Sequence, residues 1–400
     1  MTRSPCWAFR PSQGCAMRLY FSFGPMLRFL RVLHQWQWSW PVVWPWLAVV
    51  VLSLVSAVWT PASAASLGIG VDRGADDREA IGRALQRASD ASIGLVVRAV
   101  EGASSAETLG DVRKGSGVVI SADGVVLTIG YLILEAEQID LVLDDGRLVP
   151  ARALAYDLAT GFGLVQALVP LPVPSVPLGD SAQVGADETL MFVSGGQGGA
   201  VSPARLLARS RFAGYWEYLI DGALFTAPAR RDHSGAGLYN RRGELVGIGS
   251  LALPDARASV RQPGAWLHPV DDEVGRIPGN MFVPIDLLKP ILGELRSQGR
   301  SQASRRAWLG LNCSEADGRV TVLRVSRDSP AQAAGLEPGD RILRLDGVAI
   351  DDLAGFYQHL WEDGDPEREI HLEITRAGQP RDLLLRAVDR SVTLKRARGI

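Results

Sequence analysis

The sequence predicts a mainly β protein made of two folded units in series. Three observations carry that expectation. From Ile93 to about Leu251, short runs rich in Val, Leu and Ile alternate with Gly and Asp. Many short strands with little helix indicate an all-β barrel or sandwich. Residues 297–306 (SQGRSQASRR) are small, polar and charged, as an inter-domain linker is. Beyond them, residues 307–388 mix strand-like runs (WLGLN, VTVLRVS, RILRLDG, IHLEITRAG, LLLRAV) with two helix-like ones, AQAAGL and DDLAGFYQHLWED. A chain of 400 residues has room for two such domains.

In chain order, residues 1–64 read as an address rather than a fold. They carry Arg3, Arg10, Arg18, Arg28 and Arg31 and no acid. An apolar stretch from Pro41 to Trp59 follows, then TPASAAS with Ala62 and Ala64 in an A-x-A arrangement. This is the pattern of a secretory signal peptide cleaved after about Ala64. The alternative is an uncleaved anchor over residues 41–59, near the lower limit for spanning a bilayer. Met17 and Met26 are alternative starts. Residues 65–90 form an N-terminal segment in which Ile81, Ala84, Leu85 and Ala88 recur at helical spacing, predicting an amphipathic helix over 76–90. The β unit spans 91–296. Its ADG at 122–124 and DDG at 144–146 are hairpin turn signals, and a helical stretch from Ile285 to Leu295 closes it. The last residues, 389–400, read as a frayed basic tail.

Composition narrows the function. Five of 42 basic residues and none of 44 acids lie in residues 1–64, which leaves the remainder at −7. A mildly acidic body argues against nucleic acid as a partner. Cys6 and Cys15 fall in the leader, so Cys313 has no internal disulfide partner. No Cys/His cluster has metal-ligand spacing, and no phosphate loop or dinucleotide fingerprint occurs. No cofactor or metal is therefore expected.

Several blocks recur in an order that resembles the HtrA (Deg) family of periplasmic serine proteases. They are GSGVVISADGVVLT (Gly115–Thr128), LDDGRLVPARALAYD (Leu143–Asp157), VPLGDSAQVGADETLMFVSG (Val176–Gly195), HSGAGLYNRRGELVGI (His233–Ile248) and FVPIDLLKPILGEL (Phe282–Leu295). The resemblance implies a trypsin-like double β-barrel followed by one PDZ domain, itself β with two helices. SPAQAAGLEPGDRILRLDGVAI (Ser329–Ile350) fits the PDZ core pattern. Trp308, Leu309, Gly310 and Leu311 fit its carboxylate-binding loop, where backbone N–H groups receive a peptide C-terminus and the next strand pairs with the peptide.

A trypsin-like protease needs a Ser nucleophile, a His base, an Asp that orients the His, and N–H groups aimed at the oxyanion. The family's L-T-N-x-H-V-V reads Leu127-Thr128-Ile129-Gly130-Tyr131-Leu132-Ile133 here, so Tyr131 stands at the His position. The family's D-x-x-T-D-L-A-V-L begins at Asp157 here and puts Gly161 at the Asp position. Ser234 is retained in Asp232-His233-Ser234-Gly235, but Asp232 replaces a glycine whose N–H serves the oxyanion hole. A carboxylate beside a developing oxyanion opposes catalysis. His233 adjoins Ser234, and neighbouring side chains diverge. His268 lies in an insertion before the closing helix, and His359 and His371 lie in the second unit. Each has the plainer reading of an ordinary packed or surface histidine. Trp216, Trp266 and Trp361 read as packing or surface aromatics.

The function expected is therefore an exported, catalytically impaired HtrA-like protein. It binds unfolded proteins or peptide C-termini in envelope quality control, alone or with an active relative, and the resemblance allows a homotrimer. The alternatives are an active serine endopeptidase that uses Ser234 with a non-standard base, and a structural envelope scaffold.

Overall fold

The computed structural model describes residues 73–186, 188–257 and 276–395. The expected signal peptide and the apolar stretch 41–59 lie outside the described residues, as do His268 and Trp266. Among the described residues no helix is long and apolar enough to cross a membrane.

Six antiparallel strands close the first barrel: β1 (Ser92–Ala99), β2 (Val112–Val119), β3 (Val125–Ile129), β4 (Ala136–Val142), β5 (Leu148–Tyr156) and β6 (Phe162–Ala167), in the order β1-β2-β3-β6-β5-β4. Ile93, Leu95 and Val97 of β1 alternate into its core, as strand periodicity requires. Both turn signals join paired strands: Gly124 precedes β3, which pairs with β2, and Gly146 lies between the paired β4 and β5.

The second barrel holds β7 (Thr189–Val193), β8 (Val201–Gly214), β9 (Tyr218–Ala227), β10 (Gly237–Tyr239), β11 (Leu245–Leu253) and β12 (Gly279–Pro284), in the order β10-β11-β12-β9-β8-β7. The sequence does not announce the β8–β9 hairpin, although β8 has 14 residues and β9 has 10. The register shifts between Leu206 and Ala208 and again between Ser210 and Phe212. Such bulges break the two-residue alternation that betrays a strand.

The C-terminal unit contains β13 (Ala307–Trp308), β14 (Leu311–Ala316), β15 (Arg319–Val325), β16 (Arg341–Leu345), β17 (Val348–Ala349), β18 (Glu369–Arg376), β19 (Gln379–Arg386) and β20 (Val388–Asp389). Its main sheet runs β14-β15-β16-β18-β19, so β14 is an edge strand. Its two helices are Pro330–Ala333 and Leu353–Trp361, capped by the Ser329 and Asp352 side chains. The core packs Leu311, Val322, Ile342, Phe356, Ile374 and Leu385.

Three local features differ from the sequence expectations. The helix before the first barrel begins three residues early and spans Arg73–Asp90. The closing helix is divided into a 3-10 turn, Ile285–Leu287, and an α-helix, Leu292–Gln298. Pro290 falls between them and has no N–H to donate to a continuous helix. The tail packs as far as Lys395 instead of fraying: β20 pairs with β13, and the Lys395 N–H donates to Glu135 at 2.9 Å.

Candidate functional site

The retained serine and the residues at the expected triad positions come from different barrels. Tyr131 lies in a 3-10 turn, Gly130–Leu132, directly after β3. Ser234 sits in the loop before β10 of the second barrel. The serine loop is tied to the first barrel, since the Ser116 N–H donates to the Ser234 carbonyl at 2.8 Å. Gly235 has φ +73°, and a Cβ there would lie 2.0 Å from the Ser116 carbonyl oxygen. Only glycine fits that approach.

Tyr131 Oη lies 2.7 Å from Ser234 Oγ and 2.9 Å from the Ser250 carbonyl oxygen. A phenol has one proton, and a carbonyl can only accept. The phenol donates toward both Ser234 Oγ and the Ser250 carbonyl, so Tyr131, at the position expected for a histidine base, meets the serine as a hydrogen-bond donor. Burial pushes the Tyr131 phenol up to about 12, and the bond with Ser234 offsets only part of that rise. The ionised fraction at pH 7 is then on the order of 10⁻⁵, and a neutral phenol is a very weak proton acceptor.

The third position offers no carboxylate and no room for one. Gly161 has φ +78°, and a Cβ there would sit 2.6 Å from Tyr218 Oη. Tyr218 donates to the Thr160 carbonyl at 2.8 Å and stacks on Trp216 at 5.4 Å between ring centroids. The nearby Asp157 is buried and engaged. It accepts from Ser301 and Ser304, and from the N–H and Oγ1 of Thr160 at 2.9 and 2.6 Å.

Asp232 lines a cleft of about 270 Å³ with Ser234, Ser116, Ser194 and Arg231. Its carboxylate accepts from Ser194 Oγ at 2.5 Å and from the Arg230 guanidinium at 3.0 and 3.1 Å. Burial raises this carboxyl, but the Arg230 and Ser194 bonds outweigh it and hold it below the usual range. Asp232 is thus an anion at neutral pH, paired with Arg230, in the cleft that Ser234 also lines. His233 turns back on its own loop, with Nδ1 3.0 Å from the Arg230 carbonyl. Burial lowers its pKa. His359 is 3.2 Å from Glu362, and His371 is on β18; both belong to the C-terminal unit. Among the described residues no group of His, Cys, Asp and Glu could hold a metal ion.

Residues Trp308–Leu311 run from the end of β13 to the start of β14. Their N–H groups meet a carboxylate, but one that belongs to the same chain. Glu217 Oε1 accepts from the Gly310 and Leu311 N–H groups at 2.8 Å each, and Oε2 from the Leu309 N–H at 3.3 Å. Sequence reasoning passed over Glu217. A lone glutamate between aromatics carries no motif, and its partners lie in another domain.

Comparison with known proteins follows the same division. A trypsin-like peptidase domain model matches residues 115–248, and a PDZ domain model matches residues 307–386. Serine endoprotease DegS of Haemophilus influenzae is 26% identical over 305 residues, 72% of this chain and 84% of its own length. The "Probable periplasmic serine endoprotease DegP-like" of Hahella chejuensis is 25% identical over 286 residues, 67% of this chain and 55% of its own length. The chain thus spans about half of that relative. Among solved structures, the HtrA-type protease AlgW with tripeptide aligns at a TM-score of 0.47 and 21% identity, over 77% of this chain and 96% of its own. The chain carries a trypsin-like peptidase domain of HtrA/DegP type followed by a PDZ domain.

Proposed function

We propose that this protein is a pseudoprotease: an exported HtrA-type scaffold that binds unfolded or C-terminal peptide segments and does not cut them. One observation carries the reading. The oxygen bonded to the Ser234 hydroxyl belongs to the phenol of Tyr131, and Gly161 leaves no carboxylate behind it. Serine attack requires transfer of its proton to a base matched to neutral pH. A phenol pushed up to about 12 by desolvation is not such a base. The Asp232 carboxylate, paired with Arg230, lines the same cleft as Ser234 and stands where the resemblance puts an oxyanion-hole glycine. Relatives named as periplasmic endoproteases support a place in the cell envelope, and peptide capture there suits protein quality control. A homotrimer, or a mixed assembly with an active relative, is the quaternary form this reading favours.

The test is casein cleavage by purified residues 65–400 beside Ser234→Ala, with fluorophosphonate labelling of both. The expected result is no turnover and no labelling in either protein. Turnover or labelling lost on Ser234→Ala would identify an active serine and restore the endopeptidase reading.

A further inference from the structure

Six hydrogen bonds join the tip of the β8–β9 hairpin to the PDZ unit. The loop before β14 gives three N–H groups to the Glu217 carboxylate. On the edge strand β14, the Cys313 N–H donates to the Tyr215 carbonyl at 2.9 Å, extending the sheet by a strand-like contact. From the helix Leu353–Trp361, Tyr357 Oη donates to the Gly214 carbonyl at 2.7 Å and accepts from the Glu217 N–H at 3.1 Å. Ala213 and Leu219 flank the tip and pack with the PDZ core. Loop, edge strand and helix are the three walls between which an extended peptide ending in a carboxylate docks.

Glu217 is also conformationally costly. Its φ is +59°, the left-handed region, and the residue is buried. A side chain there is strained relative to an ordinary conformation. The three N–H bonds to its carboxylate are the interactions that offset this cost.

We propose that the β8–β9 hairpin tip is a resident ligand of the PDZ groove, with the Glu217 carboxylate in the seat of a peptide C-terminus, so that an external peptide binds only by displacing it. The inference rests on the peptide-binding part of the proposed function and deepens it. A tethered ligand acts at an effective concentration on the order of millimolar. Weak C-terminal peptides are therefore excluded, and those that bind must release the hairpin from the PDZ unit.

The experiment uses the exported chain, wild type and Glu217→Gly, a substitution suited to a positive φ. The probe is an array of dodecapeptides randomised over the last four positions, made once with free C-terminal carboxylates and once as amides. The strongest free-carboxylate binders are then titrated in solution. The expected result is at least tenfold tighter binding of free-carboxylate peptides by Glu217→Gly, with no gain for amides. Equal affinity in the two proteins overturns the competition and leaves peptide binding standing. Binding by neither protein overturns peptide binding and the competition with it. If Glu217→Gly does not fold, Glu217→Asn removes the carboxylate while tolerating a positive φ, and the same comparison applies with a gain of at least threefold.

Discussion

In the proposed pseudoprotease, Tyr131 and Gly161 stand where a base and the carboxylate that orients it are expected, and the two positions are chemically coupled. Restoring an imidazole at 131 supplies a base but nothing to orient it or to stabilise its charge. Tyr131→His alone is therefore expected to give no casein turnover above that of Ser234→Ala. Gly161 resists any side chain, because its φ is +78° and Tyr218 Oη lies 2.6 Å from the site of a Cβ. Gly161→Ala should cost about 1–3 kcal/mol in urea unfolding. Part of that loss should be recovered when Tyr218→Phe removes the nearest atom, a non-additivity that a double-mutant cycle measures. Strictly additive losses would mean that the tyrosine does not oppose the new side chain. The departures at 131, 161 and 232 are legible in the sequence, because each stands inside a recognisable block. The opposing Tyr218 is not legible, since no local pattern ties β9 to the turn before β6.

The β8–β9 hairpin is the element on which the two domains depend. Burial pushes the Glu217 carboxyl up to about 7, against the N–H bonds of Leu311, Leu309 and Gly310 and the charge of Arg390. Tyr357 and Cys313 also face it. Burial raises both of their pKa values, so they stay neutral through the physiological range. A carboxyl raised in the folded state holds its proton more tightly than the unfolded chain does. Its contribution is fully present below the unfolded value and is lost as pH rises through about 7. Glu217→Gln does not titrate. Wild type should therefore lose stability relative to Glu217→Gln between pH 5 and pH 8, by on the order of 3 kcal/mol at most. Urea unfolding of both proteins at the two pH values reads the difference, and a constant gap would show that Glu217 does not titrate in this window.

Across the whole molecule, the PDZ unit is joined to the barrels through several buried polar contacts as well as through its linker. Ser301 and Ser304, in the expected inter-domain linker, are buried and donate to Asp157 of the first barrel. Tyr357 and Glu217 bind the second barrel to the PDZ core. Shared buried contacts of this kind predict one cooperative unfolding transition for barrels and PDZ together. Tyr357→Phe leaves the Gly214 carbonyl and the Glu217 N–H without their partner, at a cost of about 1–3 kcal/mol. It should split calorimetric unfolding into two transitions, with the PDZ unit melting first. A single transition in this variant would place the coupling in the linker contacts instead.

The sequence by itself determined the architecture and the residues on which the proposed loss of catalysis rests. Strand runs, turn glycines and block order are local patterns, and they specify two β units and the residues standing at 131, 161, 232 and 234. The tertiary structure alone decided where those residues' atoms go. Tyr131 meets Ser234 across the two barrels, Tyr218 fills the space beside Gly161, and Glu217 reaches the N–H groups of residues 309–311. Each is a contact between segments far apart in the chain. Such contacts depend on the path of the backbone and on bulges that move a hairpin tip by a few ångströms, and neither is encoded in the spacing of neighbouring residues.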